Sequence, residues 1–146
     1  MTDKDMNFLK ELAWKVDGIK DDFQRAVYYR ICIGFQRWKL GKSKSKFVTK
    51  EQILEYLCRK GLASRRADGS LPDDRKVREA ARELLKQGLP IMATAKSKGY
   101  FIAETLAEID RPQRENKARA TAILAVDKGY EKVRALLSGQ GRIFGA

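Results

Sequence analysis

The sequence has no histidine, only two cysteines and three prolines, and no long apolar run. Without histidine the chain lacks the commonest general base and the commonest metal ligand. Its apolar runs all fall short of the ~18 residues that a membrane-spanning helix needs, and its N-terminus is polar and charged. We therefore expect no contact with a membrane, no bound metal and no cofactor.

Motifs of catalysis are also missing from the sequence. It contains no phosphate-binding P-loop, no paired-glycine motif and no nucleophile elbow around a serine. The adjacent Asp73 and Asp74 would diverge on a helix, so they fit a helix N-terminus better than a Mg²⁺ site. We therefore predict that the protein is not an enzyme.

The two cysteines, Cys32 and Cys58, lie far apart in the sequence and fall on predicted helices. We interpret them as buried apolar residues rather than as a zinc pair or a disulfide. This pattern suits a reducing compartment, so we expect the protein in the cytoplasm.

Positive charge is abundant: 31 lysines and arginines stand against 19 acidic residues, a formal net charge of +12. A chain this basic favours a polyanionic partner, most often nucleic acid. Basic residues outnumber acidic ones in the N-terminal, middle and C-terminal parts alike. Any functional signal must therefore lie in the placement of charge on particular elements.

The strongest local pattern covers residues 73–87 and predicts an amphipathic helix. Apolar residues recur there at i, i+3, i+4, i+7 and i+8, which is the spacing of a buried stripe. These residues are Val77, Ala80, Ala81, Leu84 and Leu85. The opposite face carries Arg75, Lys76, Arg78 and Arg82, and Gly88 is a suitable terminator.

Two short strand-like runs follow, residues 91–95 and 100–103, joined by the basic turn 96–99. A basic-faced helix followed by a hairpin with a basic tip resembles the winged helix-turn-helix DNA-binding domains of bacterial repressors and small phage proteins. The helix end ELLKQGLPI and the hairpin end SKGYFIAE carry the resemblance. With the helical patterns on either side, we expect a mainly α fold with a small β-hairpin, N-terminal helices and a long C-terminal helix.

The resemblance implies that the 73–87 helix enters the major groove of double-stranded DNA while the 96–99 turn, the wing, contacts flanking DNA. Arg75, Lys76 and Arg78 would face base edges and nearby phosphates, with Arg82 on the backbone. Lys96 and Lys98 would touch the adjacent groove or its phosphates. Further candidate DNA-binding residues are Arg65, Arg66, Lys44 and Lys46.

Lys44 and Lys46 belong to the segment 37–50, which has six basic residues and no acid. It is either a solvated, flexible loop or a phosphate-contacting arm, and the sequence favours neither. Phe47 and Val48 at its end could form a short strand that pairs with the wing.

The helices before the wing are predicted from caps and periodicity. Thr2 caps a first helix, and a second starts at Asp21 or Asp22 and reaches Trp38. A strand at 28–35 is the alternative there, but the unbroken 3.6-residue period favours helix. Thr49 and Gln52 form a capping box for the helix that would precede 73–87 in the helix-turn-helix pair.

The connection 61–72 departs from the family pattern, because the usual turn between the paired helices has about 3–4 residues. It contains Arg65, Arg66 and an Asp68-Gly69 turn signal. This insertion could lie beside the DNA backbone, or it could hold a partner protein.

After the wing, Thr105 with Glu108 predicts a helix cap, and Arg111-Pro112 predicts an interruption or a kink. From residue 113 a long helix carries a nearly heptad-spaced series. The series is Arg119, Ile123, Val126, Tyr130, Val133 and Leu137. This helix could fold back and complete the core, which we slightly favour, or form a homodimer seam.

We divide the chain into N-terminal helices and a basic loop (1–46), a winged helix-turn-helix core (47–105), and a C-terminal helix and tail (106–146), forming one compact unit overall. The leading hypothesis is a double-stranded DNA-binding regulator from a phage or mobile element, which would place it in the host cytoplasm. The alternatives are a winged-helix module that contacts host proteins, with Trp14 and Trp38 among its contacts, and a replication-origin or packaging protein.

Overall fold

The computed structural model of the chain describes residues 1–94 and 99–140. Within them the fold is mainly helical, with one small antiparallel hairpin, which confirms the predicted class. The helices are α1 (Asp3–Val16), α2 (Asp22–Lys39), α3 (Lys50–Arg59), α4 (Arg75–Lys86) and α5 (Ala107–Gln140). The strands are β1 (Ile91–Ala93) and β2 (Tyr100–Ile102).

Internal contacts divide the chain into two compact units, Met1–Glu104 and Thr105–Ala146, whereas we expected one compact unit overall. The first unit contains α1 to α4 and the hairpin, and the second contains α5. The tail residues 141–146 lie outside the described residues.

Side-chain caps begin three of the helices where the sequence predicts them. The Thr2 hydroxyl accepts from the backbone N–H of Asp5, and the Asp21 carboxylate accepts from that of Gln24. Thr49 and Gln52 form the predicted capping box, each side chain accepting from the other residue's backbone N–H. Because such caps satisfy helix-end N–H groups locally, they fix the starts of α1, α2 and α3.

The start of α5 differs from the prediction. Glu108 does reach back to Thr105, but the Thr105 hydroxyl donates to the Glu108 carboxylate instead of accepting from a helix N–H. The helix begins two residues later, at Ala107, and runs through Pro112 without a break. Pro112 removes only one backbone donor near the helix start, so the turns beyond it keep their hydrogen bonds.

The hairpin pairs β1 with β2 in antiparallel register, Met92 facing Phe101, and its strands are shorter than predicted. The expected third strand is present as a single bridge, in which Val48 and Tyr100 exchange both backbone hydrogen bonds at 2.8 and 2.9 Å. Gly99 makes this contact possible: its φ is +122°, and a Cβ there would overlap the Val48 carbonyl.

The core lies among α2, α3, α4 and the hairpin, and it uses the apolar face of each element. Its fully buried side chains include Tyr28, Ile31, Phe35, Ile53, Leu57, Val77, Leu84 and Ile102. On α4 the predicted stripe is confirmed except at Leu85, which is 49% exposed. Leu85 is rotated by about 100° from the buried Leu84, so the apolar pattern is wider than the packed surface.

Among the described residues, the buried core draws only on the unit Met1–Glu104, and the large apolar side chains of α5 from Ile123 to Leu137 are exposed. Our preferred interpretation, in which this helix completes the core, is therefore not confirmed. None of the described helices combines the length and the apolar character that crossing a membrane would require.

Candidate nucleic-acid interface

The outer face of α4 is basic, as the sequence predicts. Arg75, Lys76, Arg78 and Arg82 are all exposed, while Val77, Ala80, Ala81 and Leu84 are buried behind them. At 100° per residue, Arg75, Arg82 and Lys86 fall within about 20° of one line along the helix, with Arg78 beside it. Lys76 lies on the opposite flank, so it does not share this line.

Local ion pairs engage part of this face. Arg75 Nε lies 3.2 Å from Glu79 Oε1, Arg78 Nε lies 3.4 Å from Asp74 Oδ1, and Lys86 Nζ lies 2.9 Å from Glu83 Oε1. Exposed pairs of this kind stabilise a protein by about 0–1 kcal/mol, so a phosphate can replace the carboxylate at small cost.

Arg82 differs from its neighbours, because no acidic side chain among the described residues lies within ion-pair distance of it. Its guanidinium has five donors suited to a phosphate or to a guanine edge. Among the arginines of α4, Arg82 is thus the one that can bind an anion without first giving up an ion pair.

The tip of α4 is acidic rather than basic. The Asp73 carboxylate accepts from the backbone N–H of Arg75 at 3.1 Å, and Asp74 occupies the N-cap position without capping the helix. These carboxylates suit the positive end of the helix dipole but would repel a phosphate. The arrangement therefore favours contacts along the exposed side of α4 over end-on contacts with its N-terminus.

α4 packs against β1 of the hairpin, and its charged residues act on β2. Burial raises the pKa of the Tyr100 hydroxyl, Asp74 adds to the rise, and Arg78 opposes it. The charges of Asp74 and Arg78, at the start of α4, thus act on Tyr100, the residue of β2 that also bridges to Val48. Lys96 and Lys98, the predicted wing contacts, lie outside the described residues.

The predicted basic arm 37–50 separates into residues with different roles. Lys39 Nζ lies 2.7 Å from Glu104 Oε2 and 3.4 Å from Asp5 Oδ1, and the bond to Glu104 raises the pKa of Lys39. Lys46 is half-buried, with Nζ 4.7 Å from the Phe101 ring centroid and 5.8 Å from that of Trp38. Lys44 is exposed. Of these three lysines, Lys44 presents most of its side chain to a ligand.

The insertion 61–72 is folded onto the core through Leu62, Ala63 and Leu71. Its predicted Asp68-Gly69 turn is confirmed: Gly69 has φ +84°, and the Asp68 carboxylate accepts from Ser70. Arg65 Nη1 donates to the Gly69 carbonyl at 2.9 Å, and Arg65 Nη2 lies 3.9 Å from Glu55. Arg65 therefore stabilises this turn through its hydrogen bond to Gly69, while the neighbouring Arg66 is exposed.

One basic cluster was not predicted. Burial lowers the pKa of Arg30 on α2, and the nearby Arg59 and Arg37 lower it further. No acidic side chain among the described residues pairs with these three arginines. Burial raises the pKa of Tyr56, the charges of Arg30 and Arg59 oppose this rise, and the Tyr56 ring lies 6.3 Å from that of Tyr29. Periodicity within one helix could not reveal this cluster, because its members come from α2 and α3.

Comparison of the chain with protein-family models, with curated proteins and with solved structures gives no match. The chemistry of the α4 surface is therefore the basis for any functional conclusion.

Proposed function

We propose that the protein binds double-stranded DNA, with α4 lying in the major groove and the wing touching flanking phosphates, as in winged helix-turn-helix domains. The line Arg75–Arg82–Lys86 on the exposed side of α4, backed by a fully apolar buried side, carries the proposal. A helix of this diameter fits a groove about 12 Å wide, and arginines are the commonest side chains to read guanine there.

The order of elements supports the same proposal. α2, the Val48 bridge, α3, α4, β1 and β2 follow one another as the elements of a winged helix do, and α4 packs on both α2 and β1. The basic side of α4 also acts on the hairpin base, because burial raises the pKa of Tyr100 and Arg78 opposes that rise. A phage or mobile-element regulator is the role we favour, and an origin-binding or packaging protein would use the same surface.

Base selectivity is expected to depend on Arg78. In a binding-site selection from random duplexes, Arg78→Ala should relax the preference at one or two positions and cost about 1–3 kcal/mol at the selected site. Its effect on unrelated duplexes should be much smaller. Equal losses on selected and unrelated duplexes would assign Arg78 to the phosphate backbone instead.

The wing lysines are expected to act on phosphates alone. Lys96→Ala combined with Lys98→Ala should weaken all duplexes to a similar degree. It should also reduce the slope of log K against log salt by about 0.9 for each phosphate that the variant no longer binds. Fluorescence anisotropy over a salt series measures both quantities. An unchanged slope would remove the wing from the interface.

A protein-contact role is the second candidate, and one observation favours it. Trp14 on α1 is 83% exposed, and it borders a surface pocket with Ile19 and Leu89. Exposed tryptophans are common anchors of protein interfaces. Failure of the intact protein to shift any duplex at near-physiological salt would favour this role over DNA binding.

A further inference from the structure

The second unit has an apolar stripe that faces solvent. Ile123, Val126, Tyr130, Val133 and Leu137 on α5 are between 51% and 70% exposed. Their spacing of 3, 4, 3 and 4 residues keeps them on one side of the helix, at the a and d positions of a heptad repeat. In proteins most of the stability of a helix comes from packing its apolar face, so a 34-residue helix with an exposed apolar stripe is suited to a partner.

We propose that α5 pairs with α5 of a second copy of this chain, as an antiparallel two-stranded coiled coil. In this arrangement Val126 packs against Leu137 of the second copy, and Tyr130 packs against Val133 of the second copy. The two-fold axis then passes between Glu131 and Lys132.

The charges beside the seam select the antiparallel direction. Asp127 and Arg134 both occupy e positions, next to the d residues Val126 and Val133. In an antiparallel pair, e positions face e positions, so Asp127 meets Arg134 of the second copy twice. In a parallel pair e positions face g positions, and the g positions of this segment hold only uncharged residues, so Asp127 and Arg134 would have no charge partner. Neither residue forms an ion pair among the described residues.

The residues on the other edge of the seam, at the g positions, also fit the antiparallel arrangement in size. The g positions hold Ala122, Gly129 and Leu136, and Leu136 is 41% exposed. In the antiparallel register Leu136 of each copy lies beside Gly129 of the other copy, once on each side of the two-fold axis. Large residues thus meet small ones on both sides of the centre, as close packing requires.

The seam is tested by a matched pair of leucines, because Leu137 and Leu124 are each 61% exposed and only Leu137 lies in the seam. Sedimentation of the intact chain over a wide concentration range should show two copies associating. Leu137→Glu should raise the dissociation constant about 100-fold or more, since each dimer loses two buried leucines. Leu124→Glu should leave it unchanged. A parent that stays a single chain, or equal effects of both variants, would overturn the proposal.

Direction is tested by exchanging charge. Asp127→Arg alone and Arg134→Asp alone should each weaken self-association about tenfold or more, because each places like charges opposite one another. An equimolar mixture of the two variants should associate again, since Asp then faces Arg at both sites. Lys128→Asp, on the outer side of the helix, is the control and should have no effect. Single variants that associate like the parent would exclude the antiparallel pairing.

Discussion

Gly99→Ala is expected to lower the free energy of unfolding of the unit Met1–Glu104 by about 2–6 kcal/mol. A residue with a side chain is strained at φ +122°, which costs about 1–3 kcal/mol. The new methyl group would also overlap the Val48 carbonyl, and overpacking of this kind costs about 1–3 kcal/mol more. That carbonyl accepts from Tyr100, so the bridge holding the hairpin to residue 48 would be disturbed.

Urea unfolding of the intact chain, followed by the fluorescence of the half-buried Trp38, measures this effect. Gly88→Ala is the matched control: Gly88 has φ +84°, but a Cβ there meets nothing within 4 Å. It should cost only the backbone strain, about 1–2 kcal/mol. Equal losses at the two glycines would show that the close approach of Gly99 to Val48 contributes nothing to stability.

Arg75→Ala combined with Arg82→Ala is expected to reduce affinity for a selected duplex about 30-fold or more. Each arginine in a groove or phosphate contact contributes about 1–3 kcal/mol, and 1.4 kcal/mol corresponds to a factor of ten. Both residues lie along the middle line of the exposed side of α4, Arg75 at its start and Arg82 beyond its midpoint, so a duplex seated along this helix should contact both. Anisotropy titrations at fixed salt measure the loss.

Lys4→Ala combined with Lys10→Ala removes the same charge from the exposed side of α1 and serves as the control. It should change affinity by no more than a few-fold, through the weaker long-range field alone. Similar losses for the two double variants would mean that net charge, rather than α4, attracts the DNA. Because all four substitutions are exposed, circular dichroism should show the parental helix content for both.

Helix positions in this chain follow from short-range chemistry. Thr2, Asp21 and Thr49 each cap a helix through a residue three positions later, so a few letters of sequence were enough to locate them. The apolar stripe of α4 could likewise be predicted from the spacing of its residues in the sequence. At Leu85 the prediction failed because burial depends on how far the packed neighbours extend around the helix, which periodicity does not describe.

The start of α5 shows the limit of local signals. Thr105 and Glu108 have the spacing of a capping box, yet they form a hydroxyl-to-carboxylate bond, and the helix begins between them, at Ala107. Pro112, which the sequence marks as an interruption, is accommodated because one missing hydrogen bond does not end a long helix.

The roles of individual charges depended on distant parts of the chain. Lys39 and Lys46 look equivalent in the basic run 37–50, but Asp5, Glu104 and Phe101 give them separate structural contacts. The effect of Arg37 and Arg59 on the pKa of Arg30 likewise involves residues of two helices. Ion pairs and ring contacts act over a few ångströms in space regardless of separation along the chain, so composition alone cannot assign them.

The amino-acid order was therefore sufficient for the helical class, most helix starts, the hairpin and the basic side of α4, because hydrogen bonds within three or four residues and side-chain periodicity produce all of these. Folding in three dimensions determined which arginines remain open to an anion, why Gly99 must be glycine, and that the apolar stripe of α5 faces solvent. Those properties arise from contacts between elements, and no short stretch of sequence contains both sides of such a contact.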